Sequence, residues 1–301
     1  MPMNLILKRG VRIVAEIHHS HGVKAALSVA HLRLRFPDWT DDFWHTALQR
    51  AKWFDEPTVE YAVSVPVAAM PPRRAQVLLA RAVIPACYGA VRAWAGSSGT
   101  DAVIAHYLNA ACADPEYLGH RLSVLLAFQE AWPLYGGGPD AVLFLDRLTE
   151  FLIACRFPAL PDERPTPSAT WSDALAAALQ RPGFFGHHLI CLSWVERSRD
   201  LLGPQRVANA LAWVVEASRA THADAEDTLV IAPSESAPVT PAALELALGA
   251  LLTRGVRNVH LLTLADAIAC LWTDTSPAQR AFLLALAERF TEAEPTGTAG
   301  G

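Results

Sequence analysis

Three times in this sequence a histidine opens an apolar run with helical spacing, and a proline ends the run at nearly the same distance. Pro139 follows His120 by 19 residues, Pro204 follows His187 by 17, and Pro277 follows His260 by 17. A fourth, looser copy sits near the N-terminus, where Pro37 follows His18 by 19 residues and His21 by 16. In two copies a glycine precedes the histidine, as Gly119-His120 and Gly186-His187. After each proline comes a second apolar stretch with helical spacing, such as AVLFLDRLTEFLIA or QRVANALAWVVEA. The implied unit is an antiparallel helical hairpin with a histidine in the first turn of its first helix. The copies are unevenly spaced, so they predict an irregular assembly rather than a uniform solenoid.

Strand signals are nearly absent, and the class read from the pattern is all-α. Residues 1–292 read as a single domain of about four histidine-bearing hairpins around a central cavity, with 293–301 a disordered tail. Proline-rich connectors fall near 55–72, 157–170 and 221–240. Within the first, Val59 to Val65 has the composition of a brief strand, though its prolines favour an irregular path. Residues 1–10 read as an extended lead-in, and Val11 to about Leu34 as a helix. Another helix runs from Arg73 to Trp94, kinked at Pro85, which lacks a backbone donor. Asp114-Pro115 is placed at the start of the helix that carries His120.

Composition narrows the function classes. The 301 residues are 52% hydrophobic and 18% charged with a net charge of −5, which fits an interior-rich globular chain. A basic doublet such as Arg73-Arg74 is too little for a nucleic-acid face. No apolar run reaches the roughly 18 residues of a membrane span, and MPMNLILKRG is charged too early for a signal peptide. The five cysteines form no CxxC pair, which reads as reduced thiols in a cytoplasmic protein.

The histidines are the candidate chemistry. A single histidine at a helix start is ordinarily a partly buried core imidazole. Four at matching positions can face one another if the hairpins pack side by side. Neutral imidazole is the commonest metal ligand, and a set drawn from several helices can hold one ion inside a bundle. No HExxH is present, and Glu16 with His19 is an isolated Glu-x-x-His, so a single mononuclear site fits better than a di-iron one. The choice between His18 and His21 stays open. Residues 187 and 188 lie about 100° apart on a helix, so one of that pair is the ligand, and the match to Gly119-His120 favours His187. Lys24 shares a helical face with His21. Glu196 and Asp266, about two turns into their helices, are candidates to orient ligands, beside their plainer reading as solvated or locally paired acids. Trp132, Trp194, Trp213 and Trp272 recur in the hairpins, each as a core residue or as the wall of a flat pocket.

Three stretches resemble a known family. Ser20-His21-Gly22-Val23-Lys24-Ala25-Ala26-Leu27-Ser28-Val29-Ala30-His31-Leu32-Arg33 is similar to a helix of the questin oxidase-like proteins. His45 to Phe54 resembles the helix that follows it there, and Val259 to Ala267 resembles that family's late histidine helix. The resemblance covers about half of the chain in scattered helices. It implies an α-helical oxygenase that acts on aromatic polyketides or quinone-like molecules by Baeyer–Villiger-type insertion or ring cleavage. It also implies a non-haem iron, with His21, His120, His187 and His260 as metal ligands and a lysine that joins them. Thr263 stands where a lysine is expected three residues after the late histidine, and the chain's only lysines are Lys8, Lys24 and Lys52. On this reading Lys24, Glu196 and Asp266 are the catalytic candidates and NADPH is a candidate reductant. The expected partners are a small aromatic substrate and dioxygen, with a second copy of the chain as a candidate and neither nucleic acid nor membrane. Two other readings are a helical-repeat scaffold that binds a partner and a metal-dependent hydrolase.

Overall fold

The computed structural model describes residues 1–13, 21–116, 118–135, 139–157, 169–220, 230–232 and 239–292. His18, His19, most of the second and third connectors and the 293–301 tail lie outside the described residues. The class is all-α. The helices are α1 (Met3–Arg12), α2 (His21–Arg35), α3 (Asp41–Arg50), α4 (Pro72–Ala80), α5 (Ala86–Ser98), α6 (Thr100–Ala113) and α7 (His120–Tyr135). They continue as α8 (Pro139–Cys155), α9 (Trp171–Gln180), α10 (His187–Arg197), α11 (Arg199–Arg219), α12 (Pro241–Arg254), α13 (His260–Trp272) and α14 (Pro277–Glu292). A 3-10 turn, Phe184–Gly186, precedes α10.

Four of these helices make the centre. α2 packs on α7 and α13, and α10 packs on the same two, which closes a ring α2–α7–α10–α13. Their side chains show the direction of each member. His21 of α2 meets His120 of α7, Lys24 meets Ser123, and His31 meets Glu130. These pairs advance in step, so α2 and α7 run parallel and in register. On the other side, His187 meets His260, and Arg197 meets Asp266 further along both helices. The four helices therefore run the same way, with their histidines at one end. Buried Leu, Val, Ile and Ala line them, including Leu27, Leu125, Leu192 and Leu264. Burying such a side chain contributes roughly 1.5–3 kcal/mol, and the apolar set forms one cluster from Ile6 to Ala287.

The remaining helices wrap this ring. α1 lies on α2 and α8, α6 on α7 and α11, α9 on α10, and α12 and α14 on α13. Ordinary caps define several starts. Thr170 and Asp173 form a reciprocal capping box on α9, and the Thr40 and Thr240 hydroxyls accept from Phe43 N and Ala243 N. Each satisfies a backbone N–H that has no partner within the helix.

Several local expectations change. Residues 3–12 are helical rather than extended, because Ile6, Gly10 and Val11 form an apolar stripe that docks on α2. The run from Arg73 to Trp94 is two helices, since the chain breaks over 81–85 before α5. α7 starts at His120, five residues after Pro115, because the Asp114 carboxylate instead accepts from Glu116 N and pairs with Arg121. The pairs α7/α8, α10/α11 and α13/α14 pack against each other, but α3 packs principally on α12. The N-terminal copy is therefore not a hairpin of the same kind. An aromatic group of Phe36, Trp39, Phe43 and Trp44 redirects the chain there. The 55–72 connector forms no strand, and its one bridge pairs Ile13 with Thr58. It is pinned by Asp146, which is fully buried, accepts from Val63 N and takes a bidentate ion pair from Arg92.

A histidine layer where four helices begin

His120, His187 and His260 are the first residues of α7, α10 and α13, and His21 is the first described residue of α2. Glycine makes two of these starts possible. Gly119 and Gly186 have φ of 71° and 75°, a left-handed conformation that side-chain-bearing residues adopt at a cost. A Cβ on Gly186 would also come within 2.6 Å of Leu264 Cδ1, and one on Gly119 within 3.1 Å of Cys191 and Trp213. The Gly-His step thus turns the chain sharply into the helix while its backbone lies against a neighbour.

The four imidazoles occupy one buried layer. The His21 ring lies 4.2 Å from that of His260, 4.9 Å from His120 and 6.4 Å from His187, centroid to centroid. His187 is 4.9 Å from His120 and 4.8 Å from His260. His187 Nε2 and His120 Nε2 are 3.2 Å apart. One nitrogen from each of His21, His120 and His260 lies within 4.8 Å of the other two. Two nitrogens bound to one ion at about 2.1 Å each are roughly 3 Å apart. The His120–His187 pair has about that spacing already, and the nitrogens of His21, His120 and His260, within 4.8 Å of one another, would close by up to about 2 Å.

Backbone and side-chain acceptors set two of the tautomers. His187 Nδ1–H donates to the Phe184 carbonyl, and His260 Nδ1–H donates to Asn258 Oδ1 at 2.6 Å. Asn258 Oδ1 also accepts from His260 N at 3.0 Å. A donor bond at Nδ1 leaves the Nε2 lone pair for coordination. Glu116 places a carboxylate oxygen 3.8 Å from His120 Nδ1, with its own backbone in the left-handed region at φ 69°. Burial, and then the neighbouring His260, Lys24, His120 and His187, hold His21 well below the usual histidine range. The N-termini of α7, α10 and α13, each worth roughly half a positive charge, act in the same direction. Burial and these neighbours thus favour the neutral, nitrogen-donor form of His21. Above the layer, the Phe185 ring stacks on His260 at 5.2 Å and the Phe184 ring on His187 at 5.9 Å.

One turn along the helices lies a second tier. Lys24 is fully buried and donates from Nζ to Ser123 Oγ at 3.2 Å. Burial brings Lys24 down to about 7, although Cys191 and Glu116 pull the other way. Burial also pushes the Cys191 thiol up to about 12.

Several sequence candidates fall elsewhere. His188 turns away from the layer, donating to the Arg181 carbonyl and packing on Trp213, so of the doublet it is the His187 ring that lies in the layer. His21 is in the layer, while His18 is outside the described residues. Glu196 sits on the outer face of α10, 30% exposed and bound to Arg199. Asp266 is buried but belongs to a separate network six residues along α13 from His260. Its carboxylate accepts from Arg197 at 2.6 Å and His31 at 3.0 Å, and His31 reaches Glu130 at 2.5 Å on its other nitrogen. Of the four tryptophans, Trp194 and Trp272 are core, and Trp194 faces His31 rather than the histidine layer. Trp213 packs on His188 and Trp132 on Phe144, and among the described residues Phe184 and Phe185 are the phenyl rings stacked on the layer. Sequence reasoning missed Asn258, Glu116 and Ser123, although Asn258 and Glu116 stand two and four residues before a singled-out histidine.

No family model matches the chain, and neither a curated protein nor a solved structure matches it. Among the described residues, no helix is long and apolar enough to cross a membrane.

Proposed function

We propose that the histidine layer holds a single metal ion, that the metal is iron, and that the protein is an oxygenase for a small aromatic, quinone-like molecule. The observation that carries the metal reading is the convergence of four imidazoles from four parallel helices, three of them with nitrogens within 4.8 Å of one another. Such a nitrogen set suits iron, zinc or copper. The resemblance to the questin oxidase-like family selects iron and oxygen chemistry among these. Iron bound there supplies the one-electron chemistry that lets dioxygen react with an electron-rich ring.

The chain's own residues do the rest. Asn258 and the Phe184 carbonyl keep two ligands in the tautomer that offers Nε2. Phe184 and Phe185 cover the layer with apolar surface and exclude water. The convergent helix N-termini favour a ligand that arrives as an anion, such as a phenolate. Lys24, held near neutrality, takes or returns a proton close to the ligands with Ser123 as its hydrogen-bond partner.

Elemental analysis of the full chain, purified without added metal, tests this. About one iron per chain is expected, falling to near zero in His120→Ala and His187→Ala, with oxygen uptake on a hydroquinone in the presence or absence of NADPH. Protein that contains no metal and binds none on titration with iron(II) overturns the metal reading. Stoichiometric zinc without oxygen uptake replaces the oxygenase with a hydrolase.

A further inference from the structure

A cleft of about 740 Å³ opens on the outer side of the molecule, where the last turns of α4 and α8 meet α6. Ligand pockets run from roughly 300 to 1,000 Å³, so it has room for a small organic molecule. Its residues are not those of the histidine layer, and the metal reading has no bearing on it.

The lining combines three chemical features. First, Tyr107 and Phe157 form an aromatic wall, their rings 5.0 Å apart and inclined by 49°. Second, amides stand beside it: Gln76 lies 3.5 Å from His106, and the Asn109 oxygen accepts from Arg206 at 2.5 Å. Because that oxygen is engaged, the Asn109 amide N–H groups are left to donate. Third, the charge is one-sided. Arg81 and Arg156 line the cleft, and among the described residues no acid lines it. Neither arginine forms an ion pair with a described residue, in a chain whose net charge is −5. Each arginine directly follows a helix, where a cation meets the carbonyl end of the macrodipole. That accounts for a charge at each terminus. It does not account for both lining an open cleft with an aromatic wall. Arg156 itself is held at φ 43° and Ala82, beside Arg81, at φ 48°. Non-glycine residues persist there only when their surroundings impose it, and such positions recur at ligand clamps.

We propose that this cleft is a second ligand site, for a planar aromatic molecule that carries a carboxylate or a phosphate. The ring lies against Tyr107 and Phe157, the anionic group meets the guanidinium groups of Arg81 and Arg156, and Asn109 donates to a polar edge. Guanidinium groups suit such anions because their donors match two oxygens at once.

The test is calorimetric titration of the full chain with AMP, 1-naphthoate, their neutral counterparts adenosine and 1-naphthalenemethanol, and inorganic phosphate. One of the two aromatic anions is expected to bind with 1:1 stoichiometry, at least about tenfold more tightly than its neutral counterpart. Which one binds tells a nucleotide from an aromatic acid. The double variant Arg81→Gln/Arg156→Gln, whose positions are exposed, is expected to weaken binding by about tenfold with an unchanged circular dichroism spectrum. EDTA-treated protein is expected to bind equally well. The proposal is overturned if neither anion saturates, if phosphate alone binds as tightly as the aromatic anion, if the neutral molecules bind as well, if the double variant is unaffected, or if chelation abolishes binding.

Discussion

The same four helices build two polar layers, and the layers are chemically opposite. At the end where α7, α10 and α13 begin, each of the four helices contributes a histidine. Ten residues on, about 15 Å along the axis, the first three contribute His31, Glu130 and Arg197, and α13 supplies Asp266 from six residues on. The far layer neutralises itself, with two carboxylates, one guanidinium and one imidazole bonded through both nitrogens. Burial pulls His31 down, but its hydrogen bonds to Asp266 and Glu130 outweigh burial and raise it to about 9. The near layer is dominated by imidazoles, with the Glu116 carboxylate at its edge 3.8 Å from His120 Nδ1, and burial and like-charged neighbours disfavour protonation of His21. One scaffold thus holds both an ion network that fixes the helices in register and a set of nitrogen donors. What distinguishes them is the balance of acids and bases placed among them.

The comparison breaks first if the far layer does not matter to stability. Asp266→Ala leaves Arg197 and His31 without their shared buried carboxylate, and a loss of about 3–5 kcal/mol is expected in urea unfolding, with metal content unchanged in the fraction that folds. Near-wild-type stability would mean the network is incidental. Next comes His120→Ala, for which iron affinity should fall by about 100-fold, or roughly 2.7 kcal/mol, while the urea midpoint of metal-free protein moves little. A large loss of stability with unchanged iron affinity would reverse the roles assigned to the two layers.

The layers should also respond to pH in opposite directions, which metal-free protein can report. His31 has a raised pKa, so its stabilisation is fully present below about 6.5, the unfolded value, and is lost as pH rises through about 9. Lys24 has a lowered pKa, so its penalty is full below about 7 and is relieved as pH rises toward the ordinary lysine value. Between pH 7 and 9 the two oppose each other. Removing His31 with His31→Gln should make stability rise with pH across that window, and removing Lys24 with Lys24→Met should make it fall, each by about 1–2 kcal/mol after solvent screening. Parallel slopes in the two variants would contradict both assignments. The smallest expected effect is at Asn258→Ala, where loss of the bond that orients His260 should weaken iron by about tenfold, or roughly 1.4 kcal/mol, with Asn258→Asp restoring most of it.

Much of the near layer was legible. The Gly-His step and the proline register placed a histidine in the first turn of three helices, because a left-handed glycine and a proline leave local marks, although the sequence pattern puts the start of the helix that carries His120 at Asp114-Pro115. Part of the far layer was legible too. At about 100° per residue, a position ten residues after a histidine returns to within about 80° of its face, whereas Glu196, nine residues after His187, points about 180° away. That arithmetic separates Arg197 from Glu196. It explains why Glu196 lies outside, bound to Arg199, while Arg197 reaches Asp266. It does not identify His31 and Glu130 as partners, since they are 99 residues apart.

By itself the sequence determined the all-α class, many helix ends and the placing of a histidine near the head of three central helices. These follow from local propensity, spacing and backbone restriction. Only the tertiary structure decided that the four helices run parallel in a closed ring, that His187 and not His188 turns inward, and that Asp266 serves the far network. It also separated α3 from the hairpin pattern and set Asn258 and Glu116 beside the histidines. The reason is that these outcomes depend on which apolar faces bury one another, and burial joins residues with no regard to their distance along the chain.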